Sequence, residues 1–140
     1  SPDVEQERRI AVYDLVENNS FAPSQGAGRG PYNLTLKIAD NRLILALATE
    51  AGEAVQDISL SMSAFRRLMK DYATVCESYL EAIKTAPRAR IEAIDMGRRG
   101  LHDEGSKLLM ERLEGEGEAE IDFETARRLF TLIYVLHMRG

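Results

Sequence analysis

The sequence predicts one α+β domain, residues 1–140, in which a three-stranded antiparallel sheet packs against about four helices. Between residues 32 and 60, three short apolar segments are joined by connections too short for parallel crossovers. On both sides of them, apolar residues recur three and four apart, which is the spacing of one helix face. A chain of 140 residues suits a single compact domain, and no internal repeat marks a second one.

The first predicted helix spans residues 3–17. Asp3 is its expected N-terminal cap, because a carboxylate can accept the free N–H groups of a first turn. The polar run NNS at residues 18–20 ends the helix. The glycine-rich sequence GAGRGP then predicts a loop over residues 21–31.

Three strands are predicted next. Residues 32–38 alternate apolar and polar side chains, which is the period of a half-buried strand. The Asp-Asn pair at residues 40–41 tolerates left-handed backbone angles and predicts a tight turn to a second strand over residues 43–48. Gly52 lies in the following turn, and a weaker third strand covers residues 55–60.

Two long helices follow the predicted sheet. Ser63 is the expected cap of a helix over residues 64–84, whose apolar side chains fall on one face. Pro87 begins a third helical region that extends to about residue 113, since proline suits the first turn of a helix.

The last helix is predicted over residues 123–138, with Asp122 as its cap, after a Gly/Glu loop at residues 114–118. A short fourth strand over residues 119–122 fits before it. The helix is apolar on nearly every side, so it is either central in the core or shared with a partner. Because a domain this small buries such a helix with difficulty, a homodimer is one prediction.

The segment IEAIDMGRRGLHDEGS, residues 91–106, is the strongest candidate for a functional site. A glycine inside a helix costs about 1 kcal/mol relative to alanine, so its three glycines need a reason. A break between Gly97 and Gly100 would expose backbone N–H groups beside two arginines, which makes an anion site. A continuous helix would favour glycines that pack closely against a neighbour, as we expect for Gly105.

Arg98, Arg99 and His102, together with Asp95, form the predicted ligand-binding cluster. Guanidinium forks bind carboxylates and phosphates, and a histidine adds a titratable group. The competing interpretation, which the residues alone favour, is a solvated helix face with ion pairs such as Asp95 with Arg99. The best functional hypothesis is a non-enzymatic binding or regulatory protein that holds an anionic ligand or a protein partner at this cluster.

A small enzyme is the alternative, with His102 as acid or base and Asp95 or Asp103 orienting it. Asp95 precedes His102 by seven residues. On an unbroken helix the two therefore lie about 10 Å apart along the axis. Contact would need a bend at a glycine, so we assign no catalytic residue. A structural subunit that assembles through the apolar last helix is a third hypothesis.

No metal or cofactor site is expected. The two histidines, His102 and His137, show no HxxxH or HExxH spacing, and the sequence contains no Walker loop or GxSxG motif. GAGRGP precedes a strand instead of joining a strand to a helix, which disfavours a dinucleotide site. Cys76 is the single cysteine and falls on an apolar helix face, where an inert thiol is expected.

Charge and hydropathy narrow the choice of partners. The net charge of −5 disfavours nucleic acid but leaves a local basic patch open. Aligned arginine doublets would form such a patch, although pairing of each doublet with nearby acids is the favoured interpretation. The doublets are Arg8-Arg9, Arg66-Arg67, Arg98-Arg99 and Arg127-Arg128. The longest apolar run, residues 129–138, is too short for a bilayer about 30 Å thick, which predicts a soluble protein.

Four sequence runs resemble a family of conserved alphaproteobacterial proteins of uncharacterised function. They are RIAVYDLVENN, FRRLMKDYATVCESYLEAI, IEAIDMGRRGLHDEGS and FETARRLFTLIYVLH, at residues 9–19, 65–83, 91–106 and 123–137. The resemblance covers nearly the whole chain and implies a bacterial cytoplasmic protein. It implies no activity, cofactor or catalytic residue.

Overall fold

Four helices and five strands make up residues 2–139, the part of the chain that this computed structural model describes. In chain order they are α1 (Pro2–Glu17), β1 (Phe21–Pro23), β2 (Tyr32–Ala39), β3 (Arg42–Thr49), β4 (Ala54–Ser61), α2 (Ser63–Thr85), α3 (Arg88–Gly115), β5 (Ala119–Ile121) and α4 (Phe123–Arg139). The α+β class and each predicted helix are confirmed.

The antiparallel meander β2–β3–β4 forms as predicted. Asp40 and Asn41, with φ angles of 51° and 61°, make the tight turn between β2 and β3. Alternate residues of β3 are buried, and its inward leucines, Leu43, Leu45 and Leu47, belong to the core. On the opposite face of the sheet, the alternate residues of β2 and β4 are mainly exposed. The meander therefore has one face for the helices and one for solvent.

The prediction of a loop over residues 21–31 is wrong for the first three of these residues. Phe21–Pro23 form β1, which pairs antiparallel with β5 in a separate two-stranded sheet. β5 confirms the short strand expected before the last helix, but it does not extend the meander. A three-residue strand obtains its hydrogen bonds from a partner distant in the chain, so no local pattern predicts it.

Gln56 of β4 connects the meander to this small sheet through a buried side chain. Its Oε1 accepts the backbone N–H of Gln25 at 3.0 Å. Its Nε2 donates to the Glu118 carbonyl oxygen at 3.0 Å and to Ser24 Oγ at 3.1 Å. The amide thus ties together the residues that follow β1 and precede β5.

One of the three predicted helix caps is confirmed. Asp122 caps α4, because its Oδ1 accepts the backbone N–H of Thr125 at 2.9 Å. Ser63 is already the first residue of α2, and its Oγ accepts Asn41 Nδ2 at 2.9 Å instead of a backbone N–H. α1 already includes Pro2, so Asp3 lies inside the first turn. There its negative charge interacts favourably with the helix dipole.

α3 is a continuous helix, so the chain does not break between Gly97 and Gly100. A Cβ added at either glycine would meet no atom within 4 Å, so close packing does not explain them. At Gly105 the expected close packing is confirmed, because an added Cβ would overlap the Phe130 ring of α4. Nothing in the structure explains Gly97 and Gly100.

α4 lies between α1 and α3 and also contacts β2. Its fully buried large side chains are Leu129, Phe130, Ile133 and Val135, and Tyr134 is nearly so. Burial within the chain therefore accounts for most of its apolar residues, and the homodimer stays a prediction. None of the helices in residues 2–139 is long and apolar enough to cross a membrane.

Replacing Gly105 with alanine should lower the free energy of unfolding by about 1–3 kcal/mol, because the new methyl group forces Phe130 and α3 apart. Gly100→Ala on the same helix is the matched control and should raise it by about 0.5–1 kcal/mol, since its site is open. Urea unfolding of both variants measures the difference. Equal stabilities of the two variants would contradict the close packing at Gly105.

Candidate functional site

A cleft of about 420 Å³ lies where α1, α3 and α4 meet, and the Tyr72 side chain of α2 also lines it. α3 contributes Arg98, Arg99 and His102, three of the four residues of the predicted cluster. α4 contributes a second arginine doublet, Arg127 with Arg128. Two of the four doublets therefore meet in one cleft.

Asp95 is the fourth predicted residue, and it holds the two arginines of α3. Its Oδ1 accepts Arg98 Nε at 3.0 Å, and its Oδ2 lies 2.8 Å from Arg99 Nη2. The hydrogen bond from Arg98 keeps the pKa of the Asp95 carboxyl below its usual range. Arg98 also lies over the Tyr79 ring, with its Cζ 5.0 Å from the ring centroid. The predicted pair of Asp95 with Arg99 is confirmed, and Asp95 is engaged away from His102.

His102 is packed among aromatic rings at the base of the cleft. Its ring centroid lies 5.6 Å from that of Tyr72 and 5.1 Å from that of Phe130, which stands perpendicular to it. Its Nε2 is 2.8 Å from Thr131 Oγ1. Burial, reinforced by the charge of Arg127, lowers the pKa of the imidazole to about 4. His102 is therefore uncharged at neutral pH and adds no positive charge to the cleft.

Arg127 of α4 is held more loosely than Arg98 of α3. Arg127 Nε lies 3.6 Å from Asp103 Oδ1, and its Nη1 lies 3.3 Å from Glu124 Oε1. Arg128 lies 3.8 Å from Asp14 Oδ2 through its Nε, and its Nη1 donates to the Asn18 carbonyl oxygen at 3.2 Å. Ion pairs as long as those of Arg127 at a partly exposed surface contribute little, so its guanidinium can turn towards another partner.

Acidic residues in the cleft offset part of the positive charge of its arginines. The lining contains four arginines and three carboxylates, which are Glu7 and Asp14 of α1 and Glu124 of α4. Burial raises the pKa of the Glu7 carboxyl, and the nearby Arg98 opposes that shift.

The thiol of Cys76 lies near the cleft, beside the hydroxyls of Tyr72 and Tyr134. Burial raises its pKa, so the thiolate is disfavoured, in line with the inert thiol expected from the sequence. Among residues 2–139, no group of three or more His, Cys, Asp or Glu side chains could hold a metal ion.

A second groove of about 660 Å³ runs between α1, β2 and α4. Most of its lining is apolar and includes Val12, Leu34 and Leu132. It contains none of the predicted site residues, so the polar cleft remains the candidate site.

Sequence reasoning missed the contribution of α1 and α4 to the cleft. Arg127 and Arg128 were visible as one of four doublets, but periodicity does not tell which doublets face each other. Glu7 and Thr131 carried no signal, since an acid or a threonine on a helix is common. Helix packing alone brings these residues to His102.

Comparisons with known proteins place the chain in a family and name no activity. The family model described as an uncharacterised protein family (UPF0262) matches residues 1–139. A UPF0262 protein of Mesorhizobium japonicum is 56% identical over 140 residues, which cover 100% of this chain and 86% of that protein. A Rhizobium etli relative is 57% identical over 100% of this chain and 87% of its own length.

A relative from Rhodopseudomonas palustris is 59% identical over 139 residues, covering 99% of this chain and 83% of that protein. It too is named only as a UPF0262 protein. No solved structure matches the chain. The resemblance to uncharacterised alphaproteobacterial proteins is confirmed.

The free energy of unfolding should fall by roughly 3 kcal/mol as the pH drops from about 7 to about 4, from the protonation of His102 alone. The unfolded chain takes up this proton near the ordinary pKa of 6.5, whereas the folded chain does so only near pH 4. The contribution is therefore fully present above pH 6.5 and is lost as the pH falls towards 4.

Urea unfolding across this pH range should show a flatter profile for His102→Gln than for the unmodified chain. Carboxylates present in both proteins contribute equally to the two profiles, so the difference between the profiles reports the imidazole. Parallel profiles would mean that the imidazole is not buried in its neutral form.

Proposed function

Since the chain belongs to the uncharacterised protein family UPF0262, whose description names no activity, we propose a function from the cleft between α1, α3 and α4. The protein is a non-enzymatic binding or regulatory protein that holds an anionic group, a phosphate or a carboxylate, of a ligand or partner. The observation that carries this proposal is the meeting of two arginine doublets, Arg98-Arg99 and Arg127-Arg128, in one cleft.

The way in which these arginines are held supports an anion site. Asp95 fixes Arg98 and Arg99 from one side, and a guanidinium has five N–H donors, so donors remain for a ligand. Arg127 makes only long ion pairs and could exchange them for a bidentate ligand contact. One arginine side chain held by Asp95 and Tyr79, Arg98, and one adaptable side chain, Arg127, together suit capture of a small oxyanion.

The enzyme alternative receives less support from the geometry. Nε2 of His102 bonds to Thr131, and no carboxylate among residues 2–139 hydrogen-bonds the ring. Asp95 is engaged with arginines, and Asp103 lies beside Arg127. With a pKa of about 4, His102 is a weak general base near neutral pH.

The remaining partner hypotheses stay predictions. Assembly through α4 has less apolar surface to use than the sequence suggested, because most of the apolar residues of that helix are buried within the chain. Nucleic acid remains disfavoured by the net charge of −5. A cytoplasmic location is likewise proposed only by the family resemblance.

The double variant Arg99→Gln with Arg127→Gln should bind oxyanions at least about tenfold more weakly than the unmodified chain, because each lost fork removes charge-assisted hydrogen bonds. The probes are inorganic phosphate, sulfate and citrate, titrated at low ionic strength and followed by NMR. Binding should weaken further as salt is added.

The matched control is Arg66→Gln with Arg67→Gln, an exposed doublet of α2 outside the cleft. It removes the same two charges and should leave the affinities within about twofold. Equal losses in the two double variants, or no signal changes at cleft residues with any probe, would overturn the anion site.

A further inference from the structure

The hydroxyl of Thr131 is the group that orients the His102 ring. Thr131 Oγ1 lies 3.2 Å from the backbone carbonyl oxygen of Arg127, in the i−4 bond that a threonine hydroxyl commonly donates within a helix. The same oxygen lies 2.8 Å from His102 Nε2, where it accepts when its single proton goes to that carbonyl. With the proton assigned in this way, Nε2 carries the proton of the neutral ring and Nδ1 carries a lone pair.

That lone pair is buried without a partner. Among residues 2–139, His102 Nδ1 and Arg127 Nε are the buried side-chain polar atoms that make no hydrogen bond. The first is an acceptor without a donor, and the second is a donor whose ion-pair partner, Asp103 Oδ1 at 3.6 Å, is too distant for a hydrogen bond. Both belong to residues that line the same cleft. A buried polar atom without a hydrogen bond is costly, so these two atoms need an explanation.

We infer that the anion held in this cleft carries its own O–H donor, as hydrogen phosphate does, and gives that proton to His102 Nδ1. Its unprotonated oxygens then accept from Arg127 Nε and from the guanidiniums of α3. The inference rests on the proposed function and narrows its ligand class to protonated oxyanions. Fully deprotonated anions such as sulfate satisfy the arginines but leave Nδ1 without a donor.

Access to Nδ1 requires side-chain movement, because the atom is buried. Neither Nδ1 nor Arg127 Nε is exposed to solvent in this conformation. Arg127 is the side chain suited to turn aside, because it is held only by ion pairs of 3.3 Å and 3.6 Å. The low pKa of His102 also supports the inference, because the ring is neutral at neutral pH and so keeps a nitrogen that can accept a hydrogen bond.

The test compares hydrogen phosphate with sulfate at about pH 8, where the two ions have nearly equal charge and only phosphate keeps a proton. Calorimetry on the unmodified chain should give at least about tenfold tighter binding of phosphate, the size expected for one hydrogen bond to a buried acceptor. In His102→Phe, which keeps an aromatic ring but has no acceptor, phosphate affinity should fall to that of sulfate. Sulfate affinity should not change.

A second measurement does not depend on a variant. Nitrogen-15 NMR of the imidazole should show an unprotonated Nδ1 in the free protein, with a shift on adding phosphate and none on adding sulfate. Equal affinity for the two ions, or tighter binding of sulfate, overturns the inference and leaves the anion site standing. If neither ion binds, the proposed function fails with it.

Discussion

The close approach of α3 and α4 at Gly105 is the constraint on which the rest of the structure depends. Because Gly105 has no side chain, the Phe130 ring lies directly against the α3 backbone. One turn earlier on α3, His102 meets the same ring edge to face. The two helices are thereby close enough for their arginine doublets to line one cleft, so the packing of the core and the geometry of the site have the same origin.

Local chemistry made part of this fold predictable. The turn at Asp40 and Asn41 and the cap at Asp122 depend on neighbours within three residues, and both are as expected. The strand at Phe21–Pro23 depends on β5, at the other end of the chain, and was missed. Ser63 is not a cap because α2 already begins at this residue, after Met62, and its hydroxyl accepts from Asn41, which is distant in sequence. Nonlocal partners decide such cases, and periodicity does not reveal them.

In the candidate site too, some features could be predicted from local sequence and others could not. The spacing of Asp95 and Arg99 was enough to predict their ion pair. The orientation of His102 depends on Thr131 of α4, and its neutral state depends on burial by Tyr72 and Phe130. A histidine that the sequence marks as a titratable member of a basic cluster is thus neutral at neutral pH in the fold.

α3 is anchored unevenly along its length. Its second half includes Gly105 and Leu109, which are buried, whereas Gly97 and Gly100 in the first half face open space. Glycine weakens a helix that packing does not support, so hydrogen exchange should be fastest in the turns that carry the arginines. A ligand that links Arg98 to α4 would stabilise this half of the helix. Its binding would then slow amide hydrogen exchange well beyond the residues that it contacts.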